Sequence, residues 1–241
     1  MRIFLKNRDQ YVCKQCGYNI IGHLPDKCPF CRASSEQFIL AHECSEQFSV
    51  VKSQLTNNIF KLTTKPNLGI EHTSWQINAA TSSYWIDCPA CFDPKLKSAD
   101  IITFTHHHTL GACNLYREKH QAKVRINRSD SQHKLSQPFD FDELIEDNYI
   151  EDGLEAYHIG GHTPGYTMFI FDETLFTGDY FFTNDQDLKL NPHGNKKETL
   201  AGAKRLANIL KTRPIKTVCG WDTTPYEEWQ PKFAALLGLA G

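Results

Sequence analysis

The sequence contains no apolar run that approaches the roughly twenty residues needed for a membrane-spanning helix. It also has no excess of charge of either sign, since 26 lysines and arginines nearly balance 28 aspartates and glutamates, for a formal net charge of −2. We therefore expect no binding to nucleic acid and no attraction to an anionic membrane. Residues 1–8 lack the apolar core of a secretory signal. These absences predict a cytoplasmic protein whose substrate is a small molecule.

Cysteine, in contrast, is abundant in this sequence. A cytoplasmic chain of 241 residues with nine cysteines is expected to use them as metal ligands or redox thiols, because disulfide frameworks belong to oxidising compartments. The length is sufficient for one mid-sized α/β domain and a small additional module.

Two C-x2-C pairs close to the start of the sequence form its most specific motif. Cys13 and Cys16 make the first pair, Cys28 and Cys31 the second, and eleven residues separate the pairs. Four thiolates on two facing turns can close a tetrahedral site for zinc or iron. The bound metal would supply the folding energy that so short a segment lacks.

The details around these cysteines resemble rubredoxin, particularly the short form attached to rubrerythrins. They are Cys-Gly-Tyr at residues 16–18, Cys-Pro-Phe-Cys at residues 28–31 and the trailing Phe38, and the resemblance covers roughly residues 9–40. It implies a one-electron iron centre, with a redox partner protein, in a domain spanning residues 1–44. The spacing alone also fits a structural zinc ribbon.

A histidine cluster follows a predicted buried strand at residues 99–104, which is short and rich in β-branched side chains. In an extended segment residues i and i+2 share a side, so His106 and His108 are expected to project together and His107 away from them. Two imidazoles on one side form half of a divalent metal site. A polar loop with three surface histidines is the alternative.

Further along, a Gly-His-Thr-Pro-Gly turn at residues 161–165 lies between two predicted strands, and another strand ends at Gly178-Asp179. Periodicity predicts helices over residues 111–122, 197–211 and 229–239, whereas residues 139–150 are expected to be irregular.

Taken in order, Thr-His-His-His at residues 105–108, the 161–165 turn and Gly178-Asp179 resemble the metallo-β-lactamase superfamily over roughly residues 48–241. The resemblance implies an α/β (α+β) domain at residues 45–241, folded as an αββα sandwich with metals at one edge. Residue by residue, His106, His108 and His162 match the first metal site of the family. Asp179 matches the carboxylate that bridges two metals.

The sequence departs from the family at the second metal. Leu110, Gly111 and Trp221 stand where the family has its dedicated ligands, and none of these side chains can coordinate a cation. The resemblance therefore implies a mononuclear site for iron or zinc. Trp221 is expected either to line the substrate pocket or to fill the space of the missing metal.

These features favour an iron-dependent oxidoreductase with a rubredoxin-like electron-transfer centre. The resemblance to persulfide dioxygenases supports iron, since that branch uses a single iron at the positions of His106, His162 and Asp179. A single-zinc hydrolase of ester or thioester substrates with a structural zinc ribbon is the second hypothesis. A non-catalytic metal-binding module is the third, and the sequence assigns no catalytic residue beyond the metal ligands.

The remaining cysteines and histidines carry weaker predictions. Cys88 and Cys91, in a Cys-Pro-Ala-Cys segment, are candidate redox thiols, with packing as small hydrophobes as the alternative. Packing is the preferred interpretation for Cys113 and Cys219, and Cys44 is expected to be a lone thiol. Four histidines are expected to be exposed to solvent: His72, His120, His133 and His193.

Overall fold

A small three-stranded sheet precedes two larger sheets of seven and six strands in the computed structural model, which describes residues 9–183 and 187–238. The predicted absence of a signal at residues 1–8 and the predicted helix end at residue 239 lie outside these ranges. No helix in the described ranges is long and apolar enough to cross a membrane.

The small sheet carries the first cysteine pair, and we call residues 9–44 the four-cysteine module. Its strands pair antiparallel in the order β2-β1-β3, with 3-10 helices at Ser35–Gln37 and Ala41–Glu46. The strands are β1 (Gln10–Cys13), β2 (Asn19–Ile21) and β3 (Phe38–Leu40).

The seven-stranded sheet has the order β10-β9-β8-β7-β6-β5-β4. Its strands are β4 (Ser49–Gln54), β5 (Ile59–Lys65), β6 (Ser74–Asn78), β7 (Ser83–Ile86), β8 (Ile101–Thr103), β9 (Lys123–Asn127) and β10 (Glu143–Ile145). Strands β7 to β10 are parallel neighbours, so their carboxyl ends meet at one edge, where the histidine cluster follows β8.

The six-stranded sheet has the order β11-β12-β13-β14-β17-β18, and β15 and β16 form a separate hairpin. The strands are β11 (Tyr149–Glu151), β12 (Leu154–His158), β13 (Thr167–Phe171), β14 (Thr174–Phe176), β15 (Phe181–Thr183), β16 (Leu188–Leu190), β17 (Thr217–Cys219) and β18 (Thr223–Pro225). The α-helices are α1 (Cys113–His120), α2 (Arg128–Ser131), α3 (Lys196–Leu210) and α4 (Tyr226–Leu236).

Three apolar layers confirm the predicted αββα sandwich. The inner layer joins the two large sheets, with the rings of Trp75 and Phe176 in edge contact at 5.8 Å. On the outer face of the seven-stranded sheet Tyr116 of α1 packs against Trp85 at 4.9 Å. Helices α3 and α4 cover the other sheet through buried side chains such as Leu206 and Trp229. Burial of these faces supplies the main stabilisation.

One predicted segment is wrong. Residues 139–150 were expected to be irregular, yet they contain β10, which pairs in parallel with β9, and the start of β11. These short edge strands hold only three residues each and carry acidic side chains, so no hydrophobic alternation marks them.

The four-cysteine module is held on the sandwich by polar and apolar contacts. The side chains of Asn19 and Gln10 donate to the carbonyls of Ala90 (2.9 Å) and Gly111 (3.3 Å). An apolar cluster spans the boundary and contains Val12, Cys44, Leu68, Ala90 and Cys91. Buried, satisfied hydrogen bonds fix the orientation of a contact in a way that apolar burial alone does not.

Gly69 of the sandwich lies against the Gln15–Cys16 backbone of the module, and its substitution tests this contact. A Cβ at Gly69 (φ +59°) would lie 2.1 Å from the Gln15 carbonyl oxygen, whereas one at Gly238 (φ +69°) would meet nothing within 4 Å. Both alanine variants carry the left-handed strain of roughly 1 kcal/mol. We predict that Gly69→Ala loses a further 1–3 kcal/mol, about the usual overpacking cost, in denaturant unfolding. Equal destabilisation of the two variants would contradict the docking.

Candidate metal centres

The four cysteine sulfurs of the module converge on one point. One Sγ from each of Cys13, Cys16, Cys28 and Cys31 lies within 4.8 Å of the others. The Cys13–Cys31 and Cys16–Cys28 pairs are separated by 3.7 and 3.8 Å. Hydrogen bonds from the Cys13 and Cys16 thiols lower the pKa of Cys28. Four thiols at this separation suit a tetrahedral cation, which would displace their protons.

The three histidines and the aspartate predicted as ligands also converge, although they are far apart in sequence. One ligand atom from each of His106, His108, His162 and Asp179 lies within 4.8 Å of the others. His162 Nε2 is 3.3 Å from His108 Nδ1, and His106 Nε2 is 3.4 Å from Asp179 Oδ1. These ligands come from the loop after β8, the turn between β12 and β13, and the end of β14.

The local backbone differs from the expected extended segment. His106 is extended (φ −168°), but residues His107–Thr109 form a single 3-10 turn. His106 and His108 therefore converge through the start of this turn and not through strand alternation. The distinction accounts for the two ligand atoms, because His106 presents Nε2 and His108 presents Nδ1.

The imidazoles are held in the tautomers that a metal requires. Thr105 Oγ1 lies 3.0 Å from His106 Nδ1 and donates to Asp87, so it accepts the Nδ1 proton of His106. His162 Nδ1 donates to the His193 carbonyl at 2.8 Å. His106 and His162 thus each present a bare Nε2, and the buried Nε2 of His106 has no hydrogen-bond partner. Outer bonds of this kind commonly orient metal-ligating histidines.

Burial keeps the imidazoles of His106 and His108 uncharged. Desolvation lowers the pKa of His106 well below its usual value and that of His108 to about 2. Burial also raises the pKa of Asp179, whose Oδ1 lies 3.1 Å from the Tyr166 hydroxyl. A bound cation would oppose this shift, because it stabilises the carboxylate anion. The donor set therefore fits one divalent metal.

Asp87 holds the histidine loop in place through hydrogen bonds to Thr105 and Thr109. It was not predicted as a site residue from the sequence. It is buried at the end of β7 and accepts hydrogen bonds from the Thr105 amide (2.8 Å) and the Thr109 hydroxyl (2.5 Å). Burial raises its pKa to about 7. The only sequence signal for this residue was its position at a strand end.

A small, partly open pocket lies beside the metal ligands. Its lining residues are His72, Thr73, Asp87, Thr109, Gly178, Asp179, Gly220 and Trp221. Trp221 thus lines the pocket, one of the two predicted alternatives. His72 was expected to be exposed, which is wrong: it is half-buried, and its Nε2 lies 2.8 Å from the Cys88 carbonyl.

The positions where the family carries its second-metal ligands have other roles here. Leu110 is buried in the apolar cluster beneath α1. Gly111 (φ +50°) leaves no room for a side chain, because a Cβ would lie 2.2 Å from the Cys88 carbonyl oxygen. Among residues 9–183 and 187–238, only the two groups described above gather three or more possible metal ligands.

The two candidate redox thiols lie in different apolar clusters. Cys88 packs in the cluster that contains Cys113, and Cys91 packs beside Cys44 at the module boundary. Burial raises the pKa of Cys88, and a hydrogen bond with Cys44 raises that of Cys91. Cys219, with its pKa raised to about 12 by burial, packs between the sheets. A redox role for Cys88 and Cys91 stays a prediction.

The two centres are direct neighbours. Phe30 lies in the turn between Cys28 and Cys31, and its ring is in edge contact with the His108 ring at a centroid distance of 5.5 Å. The Tyr18 ring stacks on Phe30 at 5.5 Å. An unbroken row of aromatic rings therefore runs from the four-cysteine turn to a ligand of the second centre.

Comparison with known proteins supports both parts of this description. Residues 11–39 match the family model of the rubredoxin-like domain of rubrerythrin. A search of curated protein sequences found no match.

Among solved structures, the sandwich is similar to metallo-β-lactamases. One from Pontibacter korlensis has a TM-score of 0.63 and 15% identity, over 80% of this chain and 99% of that chain. One from Hirschia baltica has a TM-score of 0.62 and 14% identity, over 78% of this chain and 97% of that chain. FIM-1 from Pseudomonas aeruginosa, in its mono-zinc form, has a TM-score of 0.60 and 11% identity, over 79% of this chain and 94% of that chain. The chain therefore has a metallo-β-lactamase fold joined to a rubredoxin-like domain.

The environment of His72 leads to a prediction about acid stability. Burial lowers the pKa of His72 to about 4, so the unfolded chain binds a proton that the folded chain rejects between about pH 6.5 and pH 4. The contribution of His72 to the free energy of unfolding is therefore fully present above about pH 6.5 and is lost as the pH falls towards 4. Metal-free wild type should therefore lose more stability than His72→Gln over this range in urea unfolding. The exposed His23→Gln is the control, and parallel pH profiles for wild type and His72→Gln would contradict the assignment.

Proposed function

We propose that this protein is a cytoplasmic metal-dependent oxidoreductase that acts on a small molecule. A single iron ion would be held by His106, His108, His162 and Asp179. A second iron, held by Cys13, Cys16, Cys28 and Cys31, would exchange single electrons with it and with a redox partner protein.

The observation that carries this proposal is the contact between Phe30 and His108. A purely structural zinc ribbon has no need to lie against a ligand of the other centre, whereas electron transfer requires proximity. The module is also held in place by the buried side chains of Asn19 and Gln10, so the contact does not depend on a mobile linker.

The chain's own residues prepare the second centre. Thr105 and the His193 carbonyl fix the imidazole tautomers, and Tyr166 and Asn191 hold the Asp179 carboxylate at 3.1 and 3.4 Å. Iron in such a histidine and carboxylate set would supply dioxygen or thiol chemistry at its open positions. The substrate would approach from the neighbouring pocket, which His72 and Trp221 help to line.

A single-zinc hydrolase of ester or thioester substrates is the second candidate. It is supported by the similarity to FIM-1, whose structure is described as a mono-zinc form. Zinc-bound water is acidified to a pKa of about 7, so one zinc is chemically sufficient.

Metal quantification and colour of aerobically purified protein test the proposal. We expect red protein with iron at both centres, and loss of one iron per chain in His162→Ala with the red colour retained. Colourless protein with two zinc ions would favour the hydrolase. Metal at the cysteines alone would indicate a non-catalytic metal-binding module.

Electron exchange between the centres has its own test. After anaerobic reduction, we expect the four-cysteine iron of wild type to be re-oxidised by air at least about tenfold faster than that of His162→Ala, because the second centre provides the route to dioxygen. Stopped-flow absorbance measures this rate. Equal rates in the two proteins would contradict electron transfer through the second centre.

A further inference from the structure

Asp130 occupies a central position that neither proposed reaction explains. It lies in α2, is fully buried, and is not within the group of metal-ligand atoms. Its Oδ2 accepts from the His107 amide (3.0 Å) and the Thr163 hydroxyl (2.8 Å), and its Oδ1 accepts from the Gly165 amide (2.8 Å). One carboxylate therefore joins the loop bearing His106 and His108 to the turn bearing His162.

The fit around Asp130 is tight. A Cβ on Gly165 would lie 2.8 Å from Asp130 Cγ, so the turn approaches the carboxylate as closely as glycine allows. The His107 imidazole also faces it, with Nδ1 3.3 Å from Oδ2. His107 thus points to Asp130 and away from the metal ligands, in agreement with the prediction from sequence.

The segment that carries Asp130 continues to the four-cysteine module. The His133 ring stacks on His107 at 4.1 Å, and His133 Nδ1 accepts from the Leu135 amide at 3.4 Å. Leu135 packs against the apolar cluster formed by Cys13, Cys16, Tyr18, Cys28 and Ala33. His133 was expected to be exposed, but it is half-buried in this contact.

We propose that Asp130 is a positioning residue for the His/Asp centre, and that the segment 127–135 couples metal binding at this centre to metal binding at the four-cysteine module. Within this segment, Asp130 contacts the loops that carry the histidines and Leu135 contacts the cysteine cluster. Ordering of the cysteine cluster by a metal fixes Leu135 and His133, and this restrains His107 and the adjacent ligands.

The expected size of the coupling follows from known outer-sphere effects. Loss of a group that orients metal ligands typically costs 10–100-fold in metal affinity. Coupling between two binding sites is reciprocal, so each metal must raise the affinity of the other site by the same factor. The proposal requires metal at both sites, but it depends neither on the identity of the metal nor on the reaction.

The role of Asp130 is tested by titrating the His/Asp centre with Co2+ while zinc fills the four cysteines. We expect Asp130→Asn to weaken Co2+ binding about 10–100-fold and to alter its visible absorption spectrum. Thr163→Val should weaken binding in the same direction, whereas Thr163→Ser, which keeps the hydroxyl, should restore it. Unchanged affinity and spectrum in a folded Asp130→Asn protein would overturn the positioning role.

The coupling is tested by the same titration in Cys28→Ser/Cys31→Ser, where the module cannot hold its metal. We expect weaker Co2+ binding than in wild type, and an equal loss of zinc affinity at the cysteines in His162→Ala. Leu135→Ala in the otherwise wild-type chain should reduce the coupling factor, whereas Leu144→Ala, on the edge strand β10, should not. Identical Co2+ affinity with and without a filled module would overturn the coupling, even if iron and electron transfer were demonstrated.

Discussion

The structure depends on bringing the imidazoles of His106, His108 and His162 to one point. Desolvation lowers the pKa of His106 and His108, which keeps these two rings uncharged. Hydrogen bonds on the side away from the metal site orient the rings of His106 and His162, and their partners are Thr105 and the His193 carbonyl. Asp87 orders Thr105 in turn. Buried polar groups behind the candidate ligands therefore orient His106 and His162 at this edge of the sheet.

The four-cysteine module packs against the same edge of the sandwich. The segment of residues 88–91 lies between the module and the histidine loop, because it receives the Asn19 side chain on one side and the close approach of Gly111 on the other. The carbonyl oxygens of Cys88 and Pro89 in this segment occupy the space that a Cβ at position 111 would need. The segment that contacts the module therefore also excludes a side chain at position 111, where the metallo-β-lactamase family has a metal ligand.

Sequence reasoning identified the candidate ligands that the structure brings together, because their identity and order are local signals. The four cysteines and the three spaced His/Asp motifs could be assigned without coordinates, as could the helix now seen as α3. Asp130, His72 and the Phe30–His108 contact could not, since each depends on how distant segments fold together. The 3-10 turn after His106 was missed because strand alternation was extended past the end of β8. Short acidic edge strands such as β10 leave no pattern at all.

The proposed arrangement has one metal ion among His106, His108, His162 and Asp179, beside a second ion at the four cysteines. Anomalous diffraction at the iron edge, from crystals of aerobically purified protein, measures this most directly. We expect one iron peak in each cluster and none in the pocket beside Trp221. A pair of adjacent metal peaks at the histidines, or no peak there with the cysteine site filled, would contradict it.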